Sequence, residues 1–141
     1  MTLPTEILSP AIALIAWTML MWLWMYATRI PAVRAAGLKL DRNAIKGEQM
    51  ATLPSHVRWK ADNYNHLMEQ PTLFYALVMS LVLLGEGGET NATIAWAYVA
   101  LRIIHSLFQV LSNKIEVRFV IFVLSNVPLF VLTYNAAMTV M

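Results

Sequence analysis

Cysteine is absent from the 141 residues, which excludes a disulfide framework, a thiolate metal site and a cysteine nucleophile. Any thiol in the chemistry must therefore come from a ligand. Charge is also scarce, at 13% of residues against 59% hydrophobic, well outside the balance of soluble domains. A soluble chain this short could not hide so much apolar surface in one core. The lipid bilayer takes the excess. A net charge of +2 is too small to point to nucleic acid. The length suits one domain over residues 1–141, and no repeat, low-complexity tract or linker divides it.

What is present is a series of long apolar runs. Spanning roughly 30 Å of hydrocarbon takes about 20 helical residues. Ile7 to Thr28 carries no charge and lacks the basic start of a signal peptide. It reads as a first span, with Trp17, Trp22, Trp24 and Tyr26 as an interfacial anchor. A polar stretch follows from Arg29 to about Arg58. The second run, Gln70 to Leu84, is short, so its helix is expected to start near Pro54 or Ser55 and to project beyond the lipid. Asn91 to Ser112 and Phe119 to Met141 give the third and fourth runs, with Pro128 expected to kink the last. The expected fold is thus an all-α integral membrane bundle of four transmembrane helices.

The charges orient it. Arg29, Arg34, Lys39, Arg42, Lys46, Arg58 and Lys60 lie between the first and second spans, and Lys114 and Arg118 between the third and fourth. The second connection holds only Glu86 and Glu89. Basic loops stay in the cytoplasm, so both termini are expected on the non-cytoplasmic side.

Polar residues inside spans are costly and mark candidate sites. Asn63, Asn65, Glu69 and Pro71 cluster at the start of the second span; Asn65 and Glu69 are neighbours on one helical face, with Asp62 about a turn earlier. An amide and a carboxylate together can hold an amino group, or Glu69 can clamp the bundle by pairing with an arginine. In the third span Tyr98, Arg102, His105, Gln109 and Ser112 form one continuous face. Buried Arg102 needs a partner, and Glu69 is the natural carboxylate. His56 and His66 fall on other segments without ligand spacing, so no metal site is expected. Lys114 and Arg118 are either a positive anchor or an anion site at the membrane mouth, where a fixed cation would lower a thiol's pKa.

Asn65-x-x-x-Glu69-x-Pro71 and Tyr98-x-x-x-Arg102-x-x-His105, set among four spans with a basic first loop, resemble the MAPEG family, the membrane-associated proteins of eicosanoid and glutathione metabolism. The resemblance implies a homotrimer with glutathione, as co-substrate, held between subunits near the cytoplasmic face. It implies that Asn65 and Glu69 hold the glutathione backbone, with Arg58 or Lys60 as the preceding basic residue. Arg102 and His105 match the third-helix pattern, where a tyrosine is more usual at His105. Arg29 would meet a glutathione carboxylate, and Arg118 would be the catalytic residue that stabilises the thiolate, beside Lys114.

Three functions compete on this reading. The first is a membrane glutathione transferase or peroxidase acting on lipophilic electrophiles from the bilayer. The second is a non-catalytic scaffold whose intramembrane polar residues hold helices together. A proton or ion pathway comes third, since four helices leave little room for a pore and no inverted repeat is visible.

Overall fold

A computed structural model describes residues 3–141. The chain is wholly helical in its regular structure: α1 Leu8–Ala35, α2 Glu48–Ala51, α3 Ser55–Glu69, α4 Pro71–Leu83, α5 Glu89–Leu111 and α6 Ile115–Val140. Three of these, α1, α5 and α6, are long and apolar enough to cross a membrane.

The second expected span is divided. Proline has no N–H to continue the helical ladder, and the chain breaks into α3 and α4 between Glu69 and Pro71. Gln70, at the joint, keeps helical angles of φ −66° and ψ −39°. The two pieces therefore meet without a loop. The expected start at Ser55 is met, with Pro54 preceding it in extended geometry.

α1 runs beyond its apolar stretch, through Arg29 and Pro31 to Ala35, where the sequence suggested a loop. Its inner face is Pro10, Ala11, Leu14, Thr18, Met21 and Met25, at the three- and four-residue steps of one helical stripe. The opposite face exposes Ile12, Ile15, Met19, Leu20 and Leu23. An apolar outer surface of this extent is a lipid-facing or partner-facing one.

α5 packs against α1, α3 and α6 and is buried on several sides, from Asn91 and Tyr98 to Gln109 and Val110. Two of the expected anchor tryptophans work inside. Trp17 Nε1 donates to Ser106 Oγ at 3.0 Å, and Trp24 lies 5.2 Å beneath the Lys60 ammonium. Trp22 and Tyr26 remain on the surface, edge to face at 5.1 Å.

The bundle has two different ends. At one, the Ile7 N–H donates to Gly87 O at 3.0 Å, tying the first helix to the α4–α5 turn. Gly87 is required there, since a Cβ would stand 2.2 Å from the Pro4 carbonyl oxygen. Asn91 closes the same end, giving Nδ2 to Glu86 O at 2.8 Å and receiving Asn135 Nδ2 at 2.7 Å. The opposite end gathers the basic residues, α2 and the α5–α6 turn.

Candidate functional site

Two recesses open at the basic end. The first, of about 260 Å³, is lined by Arg29, Gly47, Met50, Ala51, Arg58, Ala61, Asp62 and Asn65. The extension of α1 carries Arg29 to its wall. Gly47 takes φ +88°, a left-handed angle that glycine adopts without strain, and starts α2 as the recess floor. Asp62 and Asn65 come from successive turns of α3. Arg29, Arg58 and Asn65 were all candidates from sequence, and the fold brings them together. The buried Nε of Arg29 has no hydrogen-bond partner.

The second recess, of about 200 Å³, is lined by His66, His105, Ile115, Arg118, Phe119 and Phe122. Here α3, α5 and α6 converge. The rings of His66 and His105 lie 4.8 Å apart at centroids, and His66 is 5.5 Å from Phe122. Arg118 Nη1 donates to Asn113 Oδ1, while its buried Nε is unpartnered. Asn113 sits at φ 52°, a left-handed angle that asparagine tolerates better than most residues, and so turns the chain from α5 back to Arg118.

Arg102 stands behind this recess, fully buried at 0% exposure. Its partner is not Glu69, which is exposed, but His66: Arg102 Nη2 lies 2.9 Å from His66 Nδ1. A guanidinium can only donate, so that imidazole nitrogen is the acceptor. The guanidinium also lies 5.8 Å from the Phe122 ring centroid, within cation–π range. Arg102 Nε and Nη1 have no partner.

The remaining candidates lie outside both recesses. Lys60 is buried, donates to the His56 carbonyl at 2.8 Å, and is held by desolvation below the usual lysine range. Glu69 and Lys114 are exposed. Asn65 and Glu69, expected to act together, share an outward face, but only Asn65 lines a recess.

Two contributors, His66 and Gln70, were missed, and Asn63 of the polar cluster takes a place the sequence did not assign it. His66 was set aside, with His56, because it falls on a different segment from His105 without metal-ligand spacing. Gln70 donates Nε2 to Asn126 Oδ1 at 3.1 Å and accepts the Tyr98 hydroxyl, joining three helices at the proline break. Asn63 gives Nδ2 to Ser106 Oγ at 2.8 Å, while its own Oδ1 is unpartnered. The four-residue step from His66 to Gln70, continued by Leu73, was a signal available in the sequence.

Chemically, the first recess can bind carboxylates through Arg29 and Arg58 and an ammonium through Asp62. The second offers a partly buried guanidinium beside two imidazoles and an aromatic face, which suits a soft anion. Among the described residues, no three histidine, aspartate or glutamate side chains gather as metal ligands would. Residues 7–138, nearly the whole chain, match the sequence model of the MAPEG family. No curated protein and no solved structure matches the chain.

Proposed function

The chain belongs to the MAPEG family, a family of membrane proteins of glutathione and eicosanoid metabolism, and from that premise we propose that it is a membrane glutathione transferase or peroxidase acting on lipophilic electrophiles. The observation that carries this reading is the pair of buried, unpartnered arginine nitrogens, Arg29 Nε and Arg118 Nε, one in each recess of the basic end. A buried donor without an acceptor is costly. A ligand with anionic groups would supply both acceptors.

Glutathione fits the donor set. It carries two carboxylates, an ammonium and a thiol, against Arg29, Arg58, Asp62 and Asn65 in one recess and Arg118, His66 and His105 in the other. Arg29 and Arg58 would hold carboxylates, and Asp62 the ammonium. Arg118 would favour the ionised sulfur, each pKa unit being worth about 1.4 kcal/mol. When bound, glutathione supplies a sulfur nucleophile that bonds to carbon while the leaving group departs with its electrons. Holding both reactants in place removes much of the entropic cost of their encounter.

The same reading makes α3 and α4 together the second of four crossings, with the first turns of α3 projecting into the cytoplasm and both termini on the far side. The basic connections then lie on one face of the membrane. It also makes the assembly a homotrimer, in which the exposed Glu69 and Lys114 would face a neighbouring subunit and complete the glutathione site.

The test is the ultraviolet absorbance of glutathione thiolate on the purified protein, followed across pH. A saturable signal with the thiol ionised near neutral pH is expected. No binding at millimolar glutathione would overturn the proposal. The scaffold reading draws support from one network: Asn63, Ser106 and Trp17 join α3, α5 and α1. It requires Asn63→Ala to weaken the fold and leave nothing else to lose.

A further inference from the structure

The charge-free part of α1 ends at Thr28, yet the helix continues from Arg29 to Ala35, a rise of about 9 Å at 1.5 Å per residue. That is enough to cross one headgroup layer of roughly 5–8 Å. A chain that ran straight on would enter water. Instead it turns aside. Gly37, at φ 61°, donates its N–H to Arg34 O at 3.1 Å, and the Leu38 N–H donates to Val33 O at 3.3 Å. Those two bonds around a left-handed glycine are a Schellman closure, which keeps the following loop at the level of the helix end.

The loop is ordered by its own hydrogen bonds. Gln49 Nε2 donates to Lys39 O at 2.7 Å, and Gln49 Oε1 accepts the Asp41 N–H at 3.0 Å. Asp41 Oδ1 accepts the Asn43 N–H at 2.8 Å. Leu40 and Ile45 are left outside this polar ring, 69% and 76% exposed. Both are more exposed than any apolar residue on the outer face of α1, where Ile12 reaches 63%. Arg42 and Lys46, also exposed, alternate with them. Of the acids nearby, Asp41 is engaged within the loop and Glu48 opens α2. Two aliphatic side chains interleaved with two cations, at headgroup depth, complement an anionic leaflet: acyl chains for one pair, phosphates for the other.

We infer that the loop from Leu38 to Gln49 is a membrane-surface anchor that rests on the anionic phospholipids around α1. Leu40 and Ile45 enter the boundary between headgroups and acyl chains, while Arg42 and Lys46 meet the lipid phosphates. The anchor reaches the first recess through one residue. Gln49, which clips the loop, belongs to α2, and its neighbours Met50 and Ala51 line that recess together with Gly47. Docking therefore steadies the recess floor. This consequence for glutathione rests on the glutathione reading, but the anchor itself does not.

The chain has no cysteine, so Leu40→Cys and Ile45→Cys each give one site for a nitroxide label. The full chain is reconstituted in vesicles of phosphatidylcholine with phosphatidylglycerol, and relaxation by oxygen is compared with relaxation by a water-soluble nickel chelate. At both positions oxygen is expected to dominate. At Ser112→Cys, an exposed position in the α5–α6 turn, nickel is expected to dominate. Each basic side chain near an anionic leaflet shifts the docked-to-free ratio about fivefold. Arg42→Gln with Lys46→Gln is thus expected to lower that ratio about 25-fold, read as nickel access gained at position 45. The same pair should raise the glutathione Kd in these vesicles, by no more than that factor, and leave it unchanged in detergent. Nickel access at 40 and 45 equal to that at 112 would place the loop in water and overturn the anchor. Exclusion of both reagents, in vesicles and detergent alike, would seat the loop against a neighbouring copy and overturn it too. Burial indifferent to lipid charge and to the double substitution would overturn the role of Arg42 and Lys46. A docked loop on a protein that binds no glutathione would support the anchor and sink the glutathione reading alone.

Discussion

The two ends of this bundle solve the same problem differently. At the α4–α5 turn, Asn91 is buried and fully engaged with Glu86 and Asn135, and Gly87 lets the N-terminal segment close over it. At the basic end, Arg29, Arg102 and Arg118 all keep buried N–H groups without acceptors, and Asn63 and Gln109 keep buried oxygens without donors. Buried polar groups are nearly always satisfied. One end is satisfied within the chain, and the other keeps unpaired buried polar atoms that the proposed ligand would engage. The lesson is that closed packing and unpaired buried polar groups are segregated to opposite ends of the bundle.

The sharpest break of that comparison is at Arg118. Arg118→Ala is expected to lower conjugation by about a hundredfold or more, the scale of losing one preorganised donor to a developing anion, and to abolish the thiolate absorbance of bound glutathione near neutral pH, with a smaller loss of affinity. Steady-state and binding measurements on the same preparation separate the two. Unchanged turnover would remove Arg118 from the chemistry.

Arg29→Ala should raise the glutathione Kd roughly tenfold or more, since a charge-assisted hydrogen bond contributes about 1.5–3 kcal/mol. Glu86→Gln, at the finished end, should leave that Kd alone. Calorimetric titration of both variants decides whether binding is confined to one end.

Gly87→Ala is predicted to do the converse. Its Cβ meets backbone, so a loss of about 1–3 kcal/mol in stability is expected from overpacking, with glutathione affinity preserved. A lowered affinity would show that the two ends communicate.

Arg102→Met should change stability by no more than about 1 kcal/mol, because an incompletely paired buried charge is replaced by an apolar side chain of similar length. A loss above about 3 kcal/mol would make Arg102 a structural clamp. Lys39→Ala, an exposed position lining neither recess, is the mildest: an exposed charge contributes about 0–1 kcal/mol, and turnover should stay within roughly twofold.

Much of the fold could be read from the chain, because apolar runs and the basic residues between them are one-dimensional signals. The start of α3 at Ser55 and the central polar face of α5 followed from them. The extension of α1 to Ala35 did not, since Arg29 and Pro31 mark the end of lipid contact without ending the helix. The site was half legible. Arg29, Arg58 and Asn65 could be named as types, but their shared recess depends on α2, a single turn with no apolar pattern. The partner of Arg102 was misjudged for a physical reason. Helical periodicity says which residues share a face, not which neighbour that face meets, and a carboxylate draws the eye before an imidazole. His66 faces α5, and Glu69 faces out.

The contrast between the ends is tested most directly by hydrogen–deuterium exchange of the membrane-reconstituted protein with and without glutathione. The account predicts protection gained in α2, in the first turns of α3 and across the α5–α6 turn around Asn113, with no change at Glu86–Asn91. Equal exchange in both states, or protection centred on the α4–α5 turn, would contradict it.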